Sequence, residues 1–177
     1  MTLREVTVSR VVAAPADVVW GVVTDVRNHA RWIPLTRVDV EPGPPDAAPA
    51  SRIGERFVGV TGPTATRGGR GMADAMVVER FDPPVPARGR EPAREGVAVY
   101  RKQGPVLLGD AEVRVRPLGP RHCTVTWVER VHVRGLPRPV GSALVAATMA
   151  GMLRLVLHRV ATEVAGDHPA VADTTAP

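Results

Sequence analysis

The stretch PVGSALVAATMAGMLRLVLHRVATEVA, residues 139–165, decides the fold. Its apolar residues recur at three- and four-residue spacing, the period of a helix, and no charge falls in the fourteen residues from Val140 through Leu153. That run is shorter than the roughly 20 apolar residues needed to span a bilayer, and several of its members are Ala, Gly, Ser or Thr. A buried helix is the better reading. Two stripes run along it: Leu144, Thr148, Gly151 and Leu155, then Val145, Met149, Met152, Val156 and Val160. Most of its circumference is therefore expected to be covered by something apolar.

What could cover it lies upstream. Residues 3–13, LREVTVSRVVA, alternate with period two and are rich in valine, which predicts an opening strand. APADVVWGVV follows, with Pro15 suited to the first turn of a short helix and Val19, Val22 and Val23 on one stripe. Asp25 can cap a second helix that runs to about Trp32, where Pro34 prevents continuation. Six further strands are predicted at about 35–40, 53–61, 71–81, 95–103, 106–117 and 121–134, an order that implies an antiparallel meander. The links EPGPPDAAPAS and DPPVPARGREPARE are proline-rich and read as exposed loops rather than a second domain. The chain of 177 residues thus reads as one domain over 1–165, with GDHPAVADTTAP closing 166–177 as a disordered tail.

Composition narrows the partners. Cys123 is the single cysteine, which excludes an intrachain disulfide and fits a reducing compartment. The opening MTLREVTVSR lacks the apolar run of a signal peptide, so a cytoplasmic protein without stable membrane anchoring is expected. A net charge of +5 could suggest nucleic acid. However, Lys102 is the only lysine, the arginines are dispersed, and aromatic residues make up 3% of the chain, too few to stack bases; no nucleic-acid partner is expected. The residues carry no signal for an oligomeric state.

The sequence VSRVVAAPADVVWGVVTDVRNHARWIP, residues 8–34, resembles the start of the START-like or SRPBCC superfamily, in its branch named for polyketide cyclases, dehydrases and lipid transport. The matching pieces are the strand into Ala14-Pro15, the Val19-Trp20 pair, Asp25, and Trp32 with Pro34. Further matches are the strand start from Gly54 to Phe57, VVERFDPP at 77–84 and TVTWVER at 124–130. The resemblance covers about residues 3–165. It implies an α+β helix-grip fold: a curved antiparallel seven-stranded sheet wrapped around a long C-terminal helix and a cavity, with two short helices after strand 1. It also implies that the short helices close one end of the grip, which would bring Trp32 to the cavity wall.

Familiar catalytic constellations are missing. Ser142 stands in VGSAL, not in a G-x-S-x-G elbow, and Lys102 stands in YRKQ, not in a phosphate-binding loop. The histidines form no H-E-x-x-H, so neither a metal nor a cofactor is expected, and Cys123 reads as a small core residue. The strand at 122–133 is more informative. Cys123, Val125, Trp127, Glu129, Val131 and Val133 share one parity and should face inward, which sets a carboxylate on an apolar face. Glu129 is then a ligand anchor or an acid/base, or it is neutralised by Arg101 or Arg130; partnership with an arginine is expected, and would lower its pKa. Asp74, Met76 and Val78 share a face, and either Tyr100 or Arg101 can look into the cavity, but not both.

The candidate ligand contacts are Trp32, Met76, Tyr100, Trp127, Glu129, Thr148, Met149 and Met152, and the candidate catalytic residues are Glu129 and Arg101. The leading functional expectation is binding or transport of a hydrophobic small molecule, lipid or polyketide-like. The alternatives are a cyclase, aromatase or dehydrase, and a protein-interaction module whose cavity has collapsed.

Overall fold

The structure is a computed structural model that describes residues 4–42, 53–134 and 138–167, without the side chains of 4, 138–145 and 167. Strand β1 (Arg4–Val12) leads into helix α1 (Ala16–Thr24), and a 3₁₀ turn (Val26–Asn28) leads into helix α2 (His29–Trp32). Then come β2 (Thr36–Val40), β3 (Arg56–Thr61), β4 (Met72–Asp82), β5 (Gly96–Pro105), β6 (Leu107–Gly119), β7 (His122–Val133) and helix α3 (Arg138–Asp167). The strands form one antiparallel sheet in the order β1-β7-β6-β5-β4-β3-β2. Six of the seven follow one another as a meander, and β1 closes the far edge against β7. This is the expected seven-stranded grip, with α3 against its concave face.

Local chemistry accounts for the turns. The Asp25 carboxylate accepts from the backbone N–H of Arg27 at 3.1 Å, which starts the 3₁₀ turn as an N-cap does. Ile33 then leaves the helix in extended conformation ahead of Pro34, as a residue before proline must. Gly109, at φ +124°, sits where an added Cβ would lie 1.9 Å from the carbonyl oxygen of Arg130, so only glycine lets β6 and β7 approach there.

The core lies between the concave face and the helices. Val19, Val23, Val113, Val115, Val125, Val156 and Val160 are fully buried in it. On α3 the outcome differs from the two-stripe expectation. Val156 and Val160 are buried and Met149 and Met152 are partly so, whereas Thr148, Gly151 and Leu155 are exposed. A single sheet covers one side of a helix, and small residues tolerate water on the other. Leu144 and Val145, expected members of those stripes, lie outside the described side chains; of the tail expected over 166–177, residues 166 and 167 instead belong to α3, and the remainder lies outside the described residues. No helix among the described residues is long and apolar enough to cross a membrane.

Candidate functional site

The concave face does not close completely on α3. A cavity of about 140 Å³ remains, walled by Phe57, Met76, Tyr100 and Trp127 from the sheet, His29 and Ile33 from the α2 corner, and Met149, Met152, Leu153 and Val156 from α3. Strand parity puts the sheet residues there, and small residues keep the space open. Gly59 stands opposite Asp74, and Ala111 stands between Tyr100 and Glu129 in the row that crosses β5, β6 and β7. Larger side chains at either position would fill the volume.

Three charged groups converge on this wall. Lys102 Nζ lies 2.6 Å from Asp74 Oδ2 and 3.5 Å from Glu129 Oε2. The lysine can bridge from β5 to β7 because β6 offers only Gly109 beside it and Ala111 on the diagonal, so no side chain intervenes. Glu129 also accepts from the Trp127 indole N–H at 3.2 Å. Two carboxylate oxygens, Asp74 Oδ1 and Glu129 Oε2, are buried with no hydrogen-bond partner, and so is the Tyr100 hydroxyl.

Burial sets the direction of each titration. Burial pushes the Glu129 carboxyl above the ordinary carboxylate range; Lys102 and Trp127 pull it back and the Asp74 charge pushes it up again, and the net direction is upward. Burial would lower the Lys102 ammonium, but the Glu129 and Asp74 charges outweigh it and hold the proton more firmly than usual. His29, fully enclosed, is pushed down to about 4 by burial, so its ring is neutral at physiological pH. Its Nε2 lies 3.2 Å from the Val23 carbonyl oxygen. A carbonyl can only accept, so Nε2 carries the hydrogen and Nδ1 keeps its lone pair. Burial likewise raises the Tyr100 phenol, and it raises the Cys123 thiol to about 11, as befits a core residue rather than a nucleophile.

The structure brings Met76, Tyr100, Trp127, Glu129, Met149 and Met152 together around one cavity. It does not bring Trp32, Thr148 or Arg101 there. Trp32 is buried behind the wall: its indole N–H donates to Glu163 Oε2 at 2.7 Å, and its carbonyl accepts from Arg159 at 2.9 Å. It therefore ties the α2 corner to α3 instead of facing the cavity. Thr148 is exposed on the solvent side of α3. Arg101 points out of the sheet and donates two hydrogen bonds of 3.0 Å to Glu79, while Tyr100 points in. The expected arginine partner of Glu129 is likewise corrected, since Arg130 is engaged on the outer face by Glu5, Asp110 and Glu112, and the cation is Lys102. Lys102 was legible as the only lysine, two residues from Tyr100 and hence on its face. His29 had no comparable signal, because its approach to the cavity depends on the packing of the α2 corner. Among the described residues no three His, Cys, Asp or Glu groups are placed to hold a metal ion.

A curved sheet gripping a long helix around a mainly apolar cavity defines the START-like helix-grip class. Residues 4–165 match the family model described as polyketide cyclase / dehydrase and lipid transport, and the chain belongs to that family. Solved structures agree on the fold. A START superfamily protein from Mycobacterium smegmatis is similar at 17% identity and TM-score 0.61, with 90% of this chain and 98% of that one covered. A Thermobifida fusca protein solved by solution NMR is similar at 24% identity and TM-score 0.53, over 88% and 92%. The Zhui aromatase/cyclase from Streptomyces sp. R1128 is similar at 20% identity and TM-score 0.51, over 90% and 87%. No curated protein sequence matches. The family binds hydrophobic small molecules generally.

Proposed function

We propose that the cavity binds a compact, largely apolar molecule whose polar end meets Asp74, Lys102 and Glu129. One observation carries the reading: a mainly apolar enclosure holds a cluster of charged groups, and that cluster has buried oxygens without a hydrogen bond. Ligand sites have this composition, with apolar walls supplying most of the affinity and a few polar groups setting orientation. The volume of about 140 Å³ favours a ring compound over an extended acyl chain, since an apolar cavity of roughly 150 Å³ holds benzene. A collapsed cavity was the condition for the interaction-module alternative, and the open volume speaks against it.

Met152→Trp is the test, because the indole would project into the cavity from α3. The expected outcome is a folded protein that no longer takes up small aromatic ligands, and that releases nothing in native mass spectrometry where the wild type releases a co-purified compound. Loss of folding would place Met152 in close-packed core and overturn the reading.

The upward direction of Glu129 supports a second reading. A carboxyl that burial makes hold its proton more firmly than usual can serve as the acid in a cyclisation or dehydration, with the Lys102 ammonium stabilising the developing oxyanion. Arg101, paired with Glu79 on the outer face, has no part in it. Glu129→Gln would then abolish turnover of a cyclisable poly-ketone while leaving its binding nearly unchanged. The binding reading expects Glu129→Gln to alter only affinity or stability.

A further inference from the structure

We infer that the cavity selects a ring compound bearing one cationic, hydrogen-donating nitrogen, and takes it in preference to the carboxylate of the same size. This rests on the binding reading above and names its ligand class.

The donors and acceptors on the polar wall do not balance. Asp74 and Glu129 offer four carboxylate oxygens, whereas the donors that reach them are the Lys102 ammonium and the Trp127 indole N–H. The ammonium nitrogen lies 2.6 Å from Asp74 Oδ2, 3.5 Å from Glu129 Oε2 and 3.8 Å from the Met76 sulfur, so three neighbours already stand around its three N–H groups. A ligand acceptor could gain a hydrogen bond from Lys102 only by displacing one of these. Asp74 Oδ1 meanwhile has no hydrogen-bond partner, and Glu129 Oε2 has only the ammonium at 3.5 Å, too far for a good hydrogen bond. His29, a neutral ring whose N–H is spent on Val23, brings no cation to the cavity. The Tyr100 hydroxyl, also without a partner, can donate or accept and so leaves the outcome to the charges.

Those charges point the same way. With both carboxylates ionised the cluster carries two negative charges against one positive. A ligand carboxylate would add a third negative charge to a buried site, whereas an ammonium would bring the total to zero and supply the missing donors. The opposite wall limits the ligand to a single charge, since α3 contributes Met149, Met152, Leu153 and Val156, all apolar. Polyamines with spaced charges are therefore excluded along with acids.

The charges that act on Glu129 come from Lys102 on β5 and Asp74 on β4, and the Trp127 indole N–H reaches it from its own strand, so Lys102 is the cation with which an arriving ammonium shares the carboxylates.

Isothermal titration of the full chain at pH 7 with benzylamine, benzyl alcohol, toluene and benzoate tests the inference. Benzylamine should bind about tenfold or more tighter than benzyl alcohol, the order of a charge-assisted over a neutral hydrogen bond, and benzoate weakest of all. Asp74→Asn with Glu129→Gln, both near-isosteric, should erase the preference. Should that pair fail to fold, Glu129→Gln alone should shrink the preference for benzylamine over benzyl alcohol. Equal binding of toluene and benzylamine, or tighter binding of benzoate, would overturn the amine selection and leave the apolar cavity reading standing. Absence of binding by all four probes would overturn both.

Discussion

Glu112 and Glu129 stand on neighbouring strands, are 9% and 5% exposed, and look alike as glutamates set in runs of valine. They face opposite sides of the sheet, and their partners differ. On the outer face Glu112 meets two guanidiniums, Arg114 and Arg130, the latter at 2.9 Å. Burial pushes its carboxyl up, but those hydrogen bonds outweigh it and hold the group below the ordinary carboxylate range. Around it a row of alternating sign crosses four strands as Glu5, Arg130, Asp110 and Arg101. On the inner face Glu129 shares one ammonium with Asp74 and keeps an oxygen without a partner, and its carboxyl moves up. A buried carboxylate with saturated partners stabilises the sheet. One that lacks them costs stability and leaves a place for a ligand.

The sharpest way to break this contrast is to remove the shared cation. Lys102→Met should lower stability at pH 7 by about 3–5 kcal/mol, the range for leaving a buried charge unpaired. Urea unfolding should show a smaller loss on acidification, as the raised Glu129 carboxyl takes up a proton. Trp32→Ala should cost a similar amount, about 3–5 kcal/mol, for a large core truncation. Because Trp32 lies behind the wall, the affinity of the folded protein for benzylamine, measured by titration, should not change.

The two glutamates themselves should respond to pH with opposite signs. Glu112 has a folded-state pKa below its unfolded value, so its contribution is fully present above the unfolded value and is lost as pH falls through the folded one. Glu112→Gln should therefore cost about 1–3 kcal/mol at pH 7, and the cost should shrink on acidification. Glu129 has a folded-state pKa above its unfolded value, so its charge removes stability as pH rises from the unfolded value through the folded one. Glu129→Gln should be neutral or stabilising at pH 7, with the difference vanishing at low pH in urea unfolding series. The smallest effect belongs to the solvent side of α3: Thr148→Lys should change stability by less than about 0.5 kcal/mol and leave ligand titrations unchanged.

The fold was legible because each element has a period of its own. Valine alternation marks β1 and β7, Asp25 and Pro34 bracket the corner, and the uncharged run after Val140 marks α3. The inward set of β7 followed from parity alone and exposed Glu129 as an anomaly. What parity could not settle was partnership, since that depends on which strand lies alongside. Arg101 was assigned to Glu129 as an available cation on a neighbouring segment, yet its own strand turns it outward to Glu79 and brings Lys102 inward. The resemblance puts the short helices at one end of the grip and so Trp32 at the cavity, but a corner tryptophan fits a wall and a core plug equally well. Its place was decided by Glu163 and Arg159, more than a hundred residues away.

Carbon-detected NMR titration of the labelled Glu112 and Glu129 carboxyls in one sample, with and without benzylamine, tests the contrast most directly. Glu112 should titrate below the ordinary carboxylate value and stay there when the amine is added. Glu129 should titrate above it in the empty protein and fall when the amine binds. Two carboxyls that titrate alike, or a Glu129 that ignores the ligand while Glu112 responds, would contradict the account.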